Sequence, residues 1–85
     1  TYAARLAVAP DLHRAFARWP IRPQVETLSG PDGEGWYQVR FVADSFEVAR
    51  TRILGWGRAA RVIEPVALRE SVLDFARQVI QAYPE

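Results

Sequence analysis

The chain has 85 residues and 9.6 kDa, so it holds one domain at most, and 11 basic against 10 acidic side chains leave a net charge of +1. That balance excludes the strongly basic kind of duplex-DNA binder. No apolar run approaches the ~20 residues of a membrane span, and without cysteine there is no disulfide, thiolate metal site or cysteine nucleophile.

His13 is the single histidine, so a His-rich metal site or a Ser-His-Asp triad would rest on it alone. No catalytic residue, metal site or cofactor is expected. The opening at Thr1 and the lack of methionine suggest that residues 1–85 form a single domain cut from a longer protein. Every basic side chain is arginine. Genome composition accounts for such a bias by itself, and the planar guanidinium fork also suits bidentate recognition of carboxylate or phosphate.

In chain order, Tyr2 to Val8 alternates Tyr2, Ala4, Leu6 and Val8 against Ala3, Arg5 and Ala7, the pattern of a strand with one buried face. Pro10 and Asp11 open a helix, with proline in the first turn and an acid near the positive end of the dipole. Leu12, Ala15, Phe16 and Trp19 fall at helical spacing, and Pro20 ends the helix. Pro23 to Leu28 reads as a second strand. Gly30, Pro31, Asp32, Gly33 and Gly35 form a hairpin loop before a third strand, Trp36 to Val42. Asp44 and Ser45 are candidate N-caps for a helix whose stripe is Phe46, Ala49, Ile53 and Trp56, with Gly57 as its left-handed end. Ala60 to Glu64 is a short fourth strand. Pro65 opens the last helix, whose buried stripe is Leu68, Val72, Phe75, Ala76, Val79 and Tyr83.

This order predicts an α+β fold: a ferredoxin-like β-α-β-β-α-β two-layer sandwich with an additional C-terminal helix. Both crossover helices then cover one sheet face and leave the other open. Alternation assigns Arg5, Trp36, Gln38 and Arg40 to the open face, with Arg61 and Ile63 joining from the fourth strand. Arg5 and Arg40 fall side by side on the central strands, an unfavourable pairing unless something negative lies between them. Glu26, Glu34 or Glu64 can supply that charge within the domain. Packing against another domain or subunit, or an anionic ligand, can supply it from outside. Arginine beside an aromatic such as Trp36 also matches how single-stranded nucleic acids are held, by backbone charge and stacking.

Two further features stand out. Leu73 and Ile80, seven residues apart and off the main stripe of the last helix, fit either loose packing against the sheet edge or a dimer or interdomain contact that also takes in Trp36. Arg18, Trp19, Arg22 and Gln24 crowd a helix-to-strand turn, which reads as a structured loop, with a binding lip as the functional alternative. The carboxylates Glu70 and Asp74 lie on a solvated face beside Arg77, and Gly55-Trp56-Gly57 follows a helix, so it is a helix end with a packed tryptophan and no phosphate loop.

The string Ile53-Leu54-Gly55-Trp56-Gly57, then Ala60-Arg61-Val62-Ile63-Glu64-Pro65, Leu68-Arg69 and Tyr83 resembles a known pattern. So do Pro20, Pro23-Gln24 and Val39-Arg40-Phe41-Val42-Ala43-Asp44 ahead of it. Together they resemble the C-terminal extension, the WCX domain, that follows the WYL domain in bacterial transcription regulators with an N-terminal winged helix. The resemblance covers essentially the whole chain. It implies a cytoplasmic, non-enzymatic regulatory module that helps form a homodimer and a sensor site, with the WYL and winged-helix domains upstream in the same chain. It also implies a role in responses to DNA damage or phage attack, with single-stranded nucleic acid as effector. On that reading Arg5, Arg18, Arg22, Gln24, Arg40 and Arg61 are the effector-binding candidates. Where such extensions carry a histidine before the Pro-Gln step, this chain has Ile21-Arg22, and Arg22 stands as the basic group. A small-molecule-sensing module and a purely structural dimerisation module are the alternatives.

Overall fold

A computed structural model describes residues 1–19 and 24–84. It is an α+β domain with a four-stranded antiparallel sheet and three α-helices. The elements run β1 (Tyr2–Val8), α1 (Pro10–Phe16), β2 (Gln24–Ser29), β3 (Tyr37–Ala43), α2 (Phe46–Gly55), β4 (Ala60–Glu64) and α3 (Val66–Gln81), with a short 3-10 turn, Gly57–Ala59, ahead of β4. The sheet order is β2-β3-β1-β4 and every neighbouring pair is antiparallel. β1 and β3 are therefore the central pair, as the sequence predicted.

The period-2 pattern decides which side of the sheet becomes core. Ala4, Leu6 and Val8 of β1 and Val39, Phe41 and Ala43 of β3 are buried on one face. In register, small Ala4 lies opposite large Phe41, and Leu6 lies opposite Val39. Leu12 and Phe16 of α1 and Ala49 and Ile53 of α2 close over this face in one cluster with them. Ala49 is fully buried, so its methyl side chain lets α2 approach the sheet closely. Trp56 fills the end of that layer, with its ring centroid 5.2 Å from Phe41 and 5.4 Å from Phe16, both edge-on. Such offset geometry is the favoured one for aromatic pairs.

Local chemistry sets the boundaries. Ser45 is the N-cap of α2: its hydroxyl accepts from the Val48 N–H at 3.1 Å. Gly57 takes a φ of +61° just past α2, as expected of a helix end. Helix α1 stops at Phe16, so Trp19 lies beyond it, although it still packs edge-on against Phe16 at 5.5 Å. The Pro20 step that was expected to end the helix lies outside the described residues. Edge strand β2 is mostly exposed and only Val25 packs on the core; its register with β3 shifts between Thr27 and Ser29. His13 ties α1 to this edge. Its ring stacks on Tyr37 at 3.7 Å and its Nε2 lies 2.9 Å from the Thr27 hydroxyl.

The last helix departs from its predicted stripe. Leu68 is its one buried residue among those described. Val72 and Ala76 are half-buried, while Val79 and Tyr83 are exposed. The first turns lie on β4 and α2, whereas the later ones find no sheet beneath them. Arg50 of α2 makes the second tie. Its guanidinium carbon sits 3.9 Å from the Phe75 ring centroid and 5.5 Å from that of Phe46, and its Nη1 donates to the Ser71 hydroxyl at 3.0 Å. Cation–π contact and hydrogen bond take the place of apolar burial here.

Candidate functional site

The uncovered sheet face gathers Arg5, Gln24, Trp36, Arg40 and Arg61 from the site residues singled out from the sequence, together with Glu26. Arg5 and Arg40 are register partners on the central strands. Gln24 pairs with Val42 and Glu26 pairs with Arg40, which places both on the same face, since the intervening Val25 packs inward. Arg61 pairs with Ala7. Its guanidinium carbon lies 4.4 Å from the Trp36 ring centroid, so the two side chains bridge the face above Ala7.

The conflict between Arg5 and Arg40 is resolved inside the domain on one side only. Arg5 Nη2 is 3.1 Å from Glu64 Oε2, in register across β1 and β4. Both partners are substantially exposed, so the bridge is worth about 0–1 kcal/mol, and its main effect is to offset the second guanidinium. Glu34 donates its backbone N–H to Asp32 and plays no part in the pairing. Among the described residues no carboxylate lies within ion-pair distance of Arg40, which is exposed. The centre of the face therefore presents one guanidinium paired with Glu64 and one, Arg40, that makes no ion pair although Glu26 is its register partner, beside an arginine–tryptophan stack.

Arg18 is elsewhere. It follows α1 on the helix side of the sheet, its N–H donating to the Ala15 carbonyl at 3.0 Å, and it does not share a face with Arg40. Arg22, with the rest of the predicted lip from Pro20 to Pro23, lies outside the described residues. Leu73 and Ile80 lie on exposed stretches of α3, at 39% and 72% exposure.

One contributor to the geometry of this face escaped the sequence reading, in which Asp32 was only a turn former. Its Oδ1 accepts from the backbone N–H groups of Glu34 at 2.8 Å and Trp36 at 2.9 Å. Its own N–H donates to the Trp36 carbonyl at 2.9 Å. The loop is thus wound around one carboxylate, and Trp36 is fixed where β3 begins. The hydrogen bond from Trp36, then that from Glu34, holds the Asp32 carboxyl below the usual carboxylate range, with Arg61 adding a smaller push the same way. A depressed pKa in the folded state contributes stability above the unfolded value, near 3.8, that is lost as the pH falls through the folded value. On acidification, the backbone N–H resonances of Glu34 and Trp36 are expected to move together at a pH below 3.8. In Asp32→Ala that acid step disappears, which a pH titration by NMR reads directly.

A groove of about 790 Å³ runs from this end of the face around β4 to α3, lined by Trp36, Arg61, Arg69, Val72 and Leu73 among others. No helix of the described residues is long and apolar enough to cross a membrane.

An α+β domain with one sheet face covered by helices and the other lined by arginines is the class that fold and site define. The WCX domain model matches residues 1–80, and the chain belongs to that family. A search of curated proteins finds no significant match. Family membership makes this a domain of the kind associated with regulators.

Proposed function

We propose that this WCX domain is the regulatory and assembly part of a WYL-type transcription regulator that acts in the cytoplasm, with no catalytic role. Its open sheet face contributes to binding of a single-stranded nucleic-acid effector, and α3 contributes to a homodimer. The frame reads as a ferredoxin-like sandwich, which the order β2-β3-β1-β4 supports. The observation that carries the reading is the exposed Arg40 guanidinium at the middle of the face, next to the neutralised Arg5 and near the Arg61–Trp36 stack. Backbone charge and an aromatic surface are the two elements by which single strands are held without sequence preference. Gln24 adds an amide at the edge of the same face. Exposed Leu73 and Ile80, one heptad apart, support self-association through α3. Effector binding moves the parent regulator toward its operator-binding form only through differential affinity for the two states.

Sedimentation equilibrium of the chain with a labelled oligothymidylate of about 12 nucleotides tests both parts at once. The label is expected to travel with the protein. Arg40→Ala reduces the affinity and lowers the slope of log affinity against log salt by about 0.7, the share of one phosphate contact on a single strand. Unchanged affinity and slope remove the open face from the model. Leu73→Glu converts a dimer to a monomer, whereas a wild-type chain that is monomeric at every concentration rejects assembly through α3.

A further inference from the structure

We infer that the groove between the sheet face and α3 is a small-ligand site, and that its ligand is an amphipathic anion: one anionic group on a compact apolar body. The site goes beyond the nucleic-acid reading. It shares Trp36 and Arg61 with that interface and Leu73 with the α3 surface proposed for self-association, but Arg69 and Val72 belong to it alone, and Arg40 does not line it.

Shape comes from a contrast in side-chain size. Ala7 is the small floor between Gln38 and Arg61, its register partners on either side. Trp36 rises on one side and the α3 residues Val72 and Leu73 rise on the other. The volume of this open groove, about 790 Å³, lies within the range of roughly 300–1,000 Å³ that small-molecule sites occupy. Both walls are held. Asp32 fixes Trp36 through the paired backbone bonds, and buried Leu68 with the Arg50–Phe75–Ser71 contacts fixes the start and middle of α3.

The charge of the ligand follows from the cations. Arg61 and Arg69 line the groove, and among the described residues neither has a carboxylate within ion-pair distance. Asp32, the acid on the rim, is already engaged by two backbone N–H groups. A carboxylate, sulfonate or phosphate bound here meets guanidinium donors in charge-assisted geometry. The apolar body follows from Val72, Leu73 and Ile63, which a phosphodiester chain would leave wet but which a compact hydrocarbon or aromatic group would cover.

The test uses the chain itself, with naphthylacetate as probe and naphthylethylamine as its cationic counterpart, followed by NMR. The acid is expected to shift the Trp36 indole N–H and the backbone N–H groups of Val72 and Leu73, while the amine leaves them in place. Arg69→Gln weakens the acid about tenfold, the loss of one charged hydrogen-bonding partner. Ala7→Phe fills the floor and abolishes binding, and because Arg69 is exposed, Arg69→Gln decides the matter if the filled variant does not fold. Arg40→Ala leaves the acid bound while it weakens oligothymidylate, which separates failure of this site from failure of the nucleic-acid interface. Equal binding of the amine, shifts confined to other regions, or an Arg69→Gln variant that binds like the wild type overturns the assignment.

Discussion

Phe41→Ala lowers the free energy of unfolding by about 3–5 kcal/mol. Phe41 is 1% exposed on central strand β3, faces Ala4 in register and lies edge-on to Trp56 at 5.2 Å. Truncation removes the largest fully buried side chain among the described residues and leaves a cavity that Ala4 is too small to fill. Trp56 loses its partner on the sheet, so the Phe16–Trp56 contact that joins α1 to the end of α2 loosens as well. A domain of this size has roughly 5–10 kcal/mol of stability in total, so the variant is close to the point of unfolding at physiological temperature. Urea denaturation checks this. The midpoint falls while the slope, which reports the surface exposed on unfolding, stays the same. A loss below about 1 kcal/mol would mean that the inner sheet face is not the packed core described above.

Gly30→Ala is the second large effect, and it acts on the backbone. Gly30 has a φ of +118°, a conformation that side chains with a Cβ rarely adopt. A Cβ built there lies 2.9 Å from the Trp36 carbonyl oxygen and 2.9 Å from the Tyr37 Cα. Both are backbone atoms at the start of β3, so no rotamer change relieves the clash. The expected loss is about 2–4 kcal/mol, from torsional strain plus displacement of the hairpin. Gly33→Ala is the matched control, because nothing lies within 4 Å of its added Cβ. The Gly30 variant also displaces Trp36 from Arg61. Loss of oligothymidylate and naphthylacetate binding together, with Gly33→Ala normal in both, is the expected functional signature.

The frame was largely legible in the sequence because its signals are local. β1 and β4 begin and end where alternation placed them, and β3 is offset by one residue. Ser45 caps α2 and Gly57 ends it. The short α1 differs because proline limits where a helix may extend but does not make it extend that far; α1 stops at Phe16. The stripe of α3 differs because periodicity shows which side of a helix is apolar and not how much partner surface exists to cover it. Val79 and Tyr83 carry the pattern without the burial.

For the site, parity along the strands was enough to put Arg5, Arg40 and Trp36 together and to offer Glu64 as a counter-charge. Placing Arg18 needed the third dimension, since a residue after a helix belongs to whichever layer the helix occupies. The grip of Asp32 on Trp36 spans four residues of a non-repeating turn, which no periodicity encodes. The Arg50 contacts with Ser71 and Phe75 join residues from two different helices, a pairing that only tertiary packing creates.

Edge strand β2 has a consequence for how the protein behaves at high concentration. A bare sheet edge is a template on which another chain can add a strand, the first step toward aggregation. Here the edge is six residues long, its register breaks between Thr27 and Ser29, and Glu26 stands near its middle. The break interrupts the straight row of backbone donors and acceptors that an added strand needs, and the carboxylate penalises a second copy that brings its own Glu26 alongside. These guards make edge-to-edge fibril growth unfavourable in a chain whose net charge of +1 offers little mutual repulsion.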